Sequence, residues 1–199
     1  HLGVALPLTE VAATLGISTA AAEVRLDTAR SKLLAARAAR VRPGRDDKVL
    51  TAWNALAIRG LAHAARLCGR ADWTALARRA TNALHVLVWR EDRLLATWKD
   101  GQARHGGYLD DYAFLLDALL ELAETDCRSD DLVWARQLAD ALLTRFEDRE
   151  AGGFWFTAHD HERLIHRGKP IHDGATPAGN GVAAGALFRL GRLLGERAY

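Results

Sequence analysis

The stretch TAWNALAIRGLAHAARLCGRADWTALARRATNALHVLVW, residues 51–89, decides the fold. Leu56, Gly60, Leu61, Ala64 and Leu67 recur at helical spacing. After a turn of about 4–5 residues, ordinary inside an αα-hairpin, Leu76, Ala80, Leu84 and Leu87 do the same. The first helix is apolar on most sides and the second carries an arginine face. The first is therefore expected to line an inner layer and the second to coat it. Asp72, and later Asp131, stand where N-caps of second helices are expected.

The pattern repeats along the chain. A shift of 59 residues sets Trp53 on Tyr112, Leu56 on Leu115, Leu61 on Leu120, Leu84 on Leu143 and Cys68 on Cys127. A shift of 126 sets Asn54 on Asn180, Leu61 on Leu187 and Gly69 on Gly195, so that GRADW (69–73) returns as GERAY (195–199). Two copies are complete and the third stops after its first helix. The expected architecture is all-α, built of antiparallel helix hairpins. Between hairpins the chain runs long, over 90–110 and 148–178, and these segments are too rich in aromatics for disorder. RLLATW (93–98) and GGFWF (152–156) are expected as short strands. Both long segments feed the starts of inner helices, which gathers their polar and aromatic residues at one end of the stack.

Residues 1–45 differ from the remainder, 46–199. LPLTEVAATLGISTAAAEVRLDTARSKLLAAR (6–37) reads as a short helix, a turn at Gly16 and a long helix capped by Ser18, and VRPGRDD (41–47) then breaks to the repeats. LTEVAATLGISTAAAEVRLDTAR (8–30) resembles the DNA-reading helix-turn-helix of bacterial sigma factors. Glu23 and Asp27 sit beside Arg25 and Arg30 with no basic stripe, so a nucleic-acid module is carried only as the alternative to an ordinary packing pair.

Bulk composition narrows the class. Among 199 residues, 27 basic and 25 acidic side chains leave a net charge of +2, and 49% of residues are apolar. That is ordinary globular usage rather than a disordered chain or a polyelectrolyte that binds nucleic acid or membrane. No apolar run approaches the ~18 residues that span a bilayer. Methionine is absent, and the chain is expected to be a piece of a longer protein. Cys68 and Cys127, far apart, argue for a reducing compartment, so a cytoplasmic location is expected.

Three segments carry the candidate chemistry. RDDKVLTAWN (45–54) sets Asp47 and Lys48 before an inner helix, either as a solvated capping cluster or facing a pocket walled by Trp53 and Asn54. HGGYLDDYAF (105–114) combines His105, which can titrate near neutral pH, with Tyr108, Tyr112 and the paired carboxylates Asp110 and Asp111. Adjacent carboxylates against a low-dielectric pocket can have their pKa values pushed apart, as acid/base work requires, while at least one is expected merely to cap its helix. HDGATPAGN (172–180) offers Asp173 and Asn180, with Thr176 as cap and Pro177 in the first helical turn. Asn54 and Asn180 present a carboxamide at one depth, suited either to sugar hydroxyls or to bonds between helices. HDHERLIH (159–166) holds His159, His161 and His166 without a matched Cys or carboxylate partner, and no metal is expected there. There is no GxSxG, no CxxC and no Gly-rich phosphate cradle, and no cofactor is expected.

RDDKVLTAWNALAI, HGGYLDDYAFLLDALLEL, GGFWFT and RGKPIHDGATPAGNGVAA, in that order, resemble the thioredoxin-domain-containing proteins of the spermatogenesis-associated class, a domain-of-unknown-function family. The likeness covers about residues 6–199. It implies an N-terminal thioredoxin-like domain as partner and, here, part of an α/α toroid similar to N-acylglucosamine 2-epimerases and six-hairpin glycosidases. Family usage is WNGL and PSGNS, where this chain has Ala55 and Ala178. The resemblance supplies a site face and no mechanism. The expected function is binding or processing of a carbohydrate-like small molecule, by epimerase- or glycosidase-like chemistry if it is an enzyme. His105, Asp110 and Asp111 would be the acid/base groups, with Asp47, Lys48, Trp53, Asn54, Trp98, Tyr108, Tyr112, Asp173 and Asn180 contacting the ligand. The alternatives are the helix-turn-helix module and a non-catalytic scaffold. A partial toroid is expected to expose apolar faces and to self-associate.

Overall fold

The computed structural model describes residues 6–199; residues 1–5, the start of the expected N-terminal segment, lie outside the described residues. The chain divides into two compact units, one up to Asp46 and one from Asp47 to Tyr199. The first unit is the helix pair α1 (Leu8–Thr14) and α2 (Thr19–Ala38). Gly16 supplies the positive φ of the turn between them, and Ser18 Oγ accepts the Ala21 N–H at 3.2 Å to cap α2.

The second unit follows the repeat. It contains α3 (Thr51–Cys68), α4 (Ala71–Val88), α5 (Leu109–Ala123), α6 (Ser129–Arg145) and α7 (Gly179–Leu194). The hairpin pairs are α3 with α4 and α5 with α6, and α5 packs between α3 and α7. Gly69 and Gly195, mates in the 126-residue shift, end α3 and α7 in the same left-handed conformation, at φ 64 and 71. Glycine adopts it without a Cβ clash, which is why the chain can turn back so sharply at both places. The result is an all-α, hairpin-rich structure consistent with a partial α/α toroid.

The helices are not equally buried. Of the 15 residues of α5, 13 are buried, which makes it the centre of the core. By contrast α3 and α7 bury one stripe each and leave Leu67, Phe188 and Leu193 exposed. The arginine face expected on the outer helices also needs correction, because Arg78 of α4 is buried. Its guanidinium pairs with Asp131 and reaches Asp126 at 3.0 Å, joining α4 to the start of α6. Asp72 and Asp131 are not N-caps, since α4 and α6 begin before them behind Arg70 and Arg128. Both instead lie in first turns at the end opposite the starts of α3, α5 and α7.

A strand just before α3, β1 (Val49–Leu50), joins three between α4 and α5, β2 (Trp89–Arg90), β3 (Arg93–Lys99) and β4 (Gln102–Gly106), in a small antiparallel sheet. β3 pairs with the other three, with Val49 opposite Trp98, Trp89 opposite Leu94 and Thr97 opposite Arg104. Both of its tight turns hold two consecutive residues at positive φ, Glu91–Asp92 and Asp100–Gly101, as such hairpins require. GGFWF forms no strand; only Phe154 bridges, to Glu147. No helix among the described residues is long and apolar enough to cross a membrane.

Candidate functional site

The first turns of the three inner helices meet at Asp110 and Asp111. Asp111 is 4% exposed. Its Oδ1 accepts the Ala52 N–H of α3 at 2.9 Å and its Oδ2 accepts the Tyr108 N–H at 2.8 Å. The side chain thus caps its own helix and ties down the neighbouring one. Burial pushes its pKa up to about 7, against the pull of those two N–H groups.

Asp110 points to the other side. Its Oδ1 is buried with no hydrogen-bond partner, against Gly179, where any Cβ would collide with it. Burial raises the Asp110 pKa, and the Gly179 backbone amide at the start of α7 acts in the opposite direction. The two carboxylates therefore differ in kind. Both oxygens of Asp111 are engaged by backbone, whereas Asp110 keeps an unsatisfied oxygen and a half-buried carboxyl.

The remaining candidates fall into three groups. Asn180, Asn54 and Asp173 are engaged with the backbone. Asn180 Oδ1 accepts the Phe154 N–H at 2.7 Å, and its Nδ2 donates to the Phe154 and Pro170 carbonyls at 2.9 and 3.0 Å. Asn54 Nδ2 donates to the Leu50 carbonyl at 2.8 Å. Asp173 Oδ1 accepts the Ala178 N–H at 2.8 Å and does the work expected of Thr176, since α7 starts only at Gly179.

The aromatic candidates divide by exposure. Trp53, in the first turn of α3, is 65% exposed and offers a free ring face. Trp98 is half-buried on β3. Tyr108 stacks on Phe156 with centroids 5.1 Å apart. Tyr112, the repeat-mate of Trp53, is 2% exposed and belongs to the core. Its hydroxyl accepts the Leu94 N–H at 2.9 Å, so it presents no open ring face for stacking. Asp47, Lys48 and His105 are exposed, His105 at φ 62 on β4.

One cluster went unforeseen because its members lie on three helices. Asp117 and Glu121 of α5, with Glu124 just past its end, face cations from both flanking helices. Arg59 of α3 and Arg189 of α7 hold Asp117 at 2.5 and 2.7 Å, while Arg66 and His63 hold Glu121 at 2.9 and 2.8 Å. Burial pushes Glu121 up, but the hydrogen bonds from Arg66 and His63 and the charge of Arg189 together leave its pKa lowered. The signal for it is a 117–121–124 acidic stripe at helical spacing inside an otherwise apolar helix. Among the described residues no three His, Cys, Asp or Glu side chains come together as a metal site.

No family model matches the chain. Against human (Homo sapiens) spermatogenesis-associated protein 20 it is 33% identical over 200 residues, which is 94% of this chain and 25% of that protein. The mouse (Mus musculus) protein is 32% identical over 197 residues, with 94% and 25% covered. The chain shares homology with the spermatogenesis-associated proteins. It spans about a quarter of the length of these relatives. Among solved structures, cellobiose 2-epimerase from Bacillus thermoamylovorans B4167 superposes with a TM-score of 0.63 at 15% identity, over 79% of this chain and 42% of that one. Unsaturated glucuronyl hydrolase from Bacillus sp. GL1 gives 0.53 at 20% identity, over 80% and 46%. At such identities these likenesses show a shared fold and nothing further.

Proposed function

We propose that the unit from Asp47 to Tyr199 takes part in binding or processing a carbohydrate-like ligand, at the end of the stack where α3, α5 and α7 begin. The observation that carries this reading is Asp110: a half-buried carboxyl with raised pKa and an unsatisfied oxygen. Such a group holds its proton closer to neutral pH and can give or take one during epimerisation or glycosidic cleavage. His105 is the second acid/base candidate at this end. The exposed ring of Trp53 supplies a stacking face, and Trp98, Tyr108, Asp47 and Lys48 supply the rim. Asp111, Asn54, Asp173 and Asn180 act by fixing the backbone that carries these groups.

Two sugar-active proteins of known structure sharing the fold support the ligand class, and fold alone does not choose the reaction. In this reading a thioredoxin-like domain is the partner within the whole protein. The test is turnover by the full-length protein across a panel of reducing disaccharides and unsaturated uronides. Asp110→Asn is expected to lower turnover about a hundredfold or more while leaving binding in place. Unchanged turnover in that variant would remove Asp110 from the chemistry.

The helix pair α1–α2 favours a second reading, a DNA-binding module, by its turn geometry. Against it, Asp27 already engages Arg30 at 3.1 Å. Salt-dependent affinity for duplex DNA would support that reading, and its absence would dismiss it.

A further inference from the structure

The geometry points to a binding site for a compact oxyanion, a carboxylate or phosphate group, in the pocket between the start of β3, the end of α6 and the 158–161 loop. The pocket encloses about 240 Å³ and is lined by Arg93, Gly107, Tyr112, Arg145, Asp160 and His161, among others. Asp110 is not among its lining residues, and the proposal does not depend on the sugar-binding reading.

Three features make it rich in donors and poor in acceptors. The Arg145 side chain is only 25% exposed, yet among the described residues its guanidinium makes no hydrogen bond, only a 3.7 Å ion contact with Asp160. A guanidinium carries five N–H donors in a planar fork suited to two oxygens of one anion. The Tyr112 hydroxyl accepts from Leu94 N–H, and among the described residues its own proton has no acceptor. Arg93 and Arg145 lie near enough to this phenol to oppose the burial that raises its pKa. Against these donors stands one carboxylate, Asp160, which pairs with Arg93 from a loop where it is 46% exposed.

Backbone shape completes the site. A Cβ at Gly107 would lie 2.8 Å from the Leu94 carbonyl oxygen and 3.0 Å from the Tyr112 ring, so this wall has room for no side chain. Two arginines facing one acid leave a positive surplus in a half-enclosed space, where charge-assisted hydrogen bonds are stronger than in open water. Asp160 holds the place of the ligand's anionic group: the incoming oxyanion takes the Arg145 fork and the Tyr112 hydroxyl, and competes with Asp160 for Arg93.

The test is a titration of the full chain with inorganic phosphate and, separately, acetate, at ionic strength held constant with chloride. The readouts are the Gly107 amide and Arg145 Nε–H resonances in 1H–15N spectra. Saturable shifts are expected with at least one of the two ions. Phosphate alone identifies a phosphoryl group as the ligand's anion, and acetate identifies a carboxylate. Arg145→Gln should weaken binding about tenfold or more, the worth of one charge-assisted pair. Asp160→Asn, a change on an exposed loop that leaves the core intact, should tighten it. The proposal fails if neither ion gives saturable shifts, or if Asp160→Asn leaves the affinity unchanged or weaker.

Discussion

Asp111 Oδ1 accepts the backbone N–H of Ala52 at 2.9 Å, so the first turn of the central inner helix holds the first turn of its neighbour. The same carboxylate caps its own helix through Tyr108 N–H. One buried side chain therefore sets where two repeat copies begin relative to each other, and with them the depth at which Trp53 and Asp110 sit. Asp111→Ala strands two N–H groups in the interior and should cost about 2–4 kcal/mol. Chemical denaturation measures it. A loss within error of zero would mean that the inner helices find their register without this clasp.

The pH dependence of stability follows from the same group. With its folded-state pKa raised to about 7, Asp111 binds its proton more tightly in the native than in the unfolded chain. Its contribution is full below the unfolded value of 3.8 and is lost as pH rises through about 7. Glu121, with its lowered pKa, works the other way: its contribution is present above the ordinary carboxylate range and lost as pH falls through its folded value. Denaturation profiles of wild type and Asp111→Asn should therefore differ in slope between pH 4 and 7, with wild type losing stability relative to the variant as pH rises. Parallel profiles would contradict this assignment.

The buried Arg78 gives a third expectation. Removing it leaves Asp131 unpaired and only 8% exposed. Arg78→Ala should cost about 3–5 kcal/mol, the usual penalty for stranding one member of a buried pair. The double change Arg78→Met, Asp131→Leu should recover much of that loss, which thermal unfolding would show. A double variant no better than Arg78→Ala would place the effect in lost packing.

Asn180 acts on the loop before it as an additional strand would, exchanging bonds with both backbone groups of Phe154. Asn180→Asp replaces its two donated bonds with an oxygen facing the Phe154 and Pro170 carbonyls. Amide exchange at Phe154 and its neighbours should speed up at least about tenfold, one lost hydrogen bond's worth. Unaltered exchange would show that the 153–156 segment is held by other contacts, such as Lys169 with Asp148.

Helical periodicity in Leu and Ala was enough to locate α3 to α7, because burial of one stripe per helix is written into residue spacing. What spacing cannot encode is which polar group meets which backbone. Asp110 and Asp111 are chemically alike and adjacent, and only the packed ends of α3 and α7 separate the clasp at Asp111 from the half-buried carboxyl at Asp110. Arg78 reads as surface for the same reason, since its partners Asp126 and Asp131 lie on the next hairpin. The Asp100–Gly101 turn carries a recognisable hairpin signal. The Glu91–Asp92 turn does not, because Glu91 does not favour the positive φ it adopts and no glycine follows. Thr176 lost the capping position to Asp173 because the chain bends back at Gly174, whose N–H donates to the Thr176 carbonyl at 3.0 Å.

The central claim is that the end of the stack bearing Trp53 and Asp110 takes a sugar. Its most direct test is a fluorescence titration of the full-length protein with neutral and acidic disaccharides, repeated in Trp53→Ala. A saturable change with at least one sugar, lost in Trp53→Ala while the fold is kept, is the predicted result. No saturable response to any sugar, or an identical response in the Trp53 variant, would contradict it.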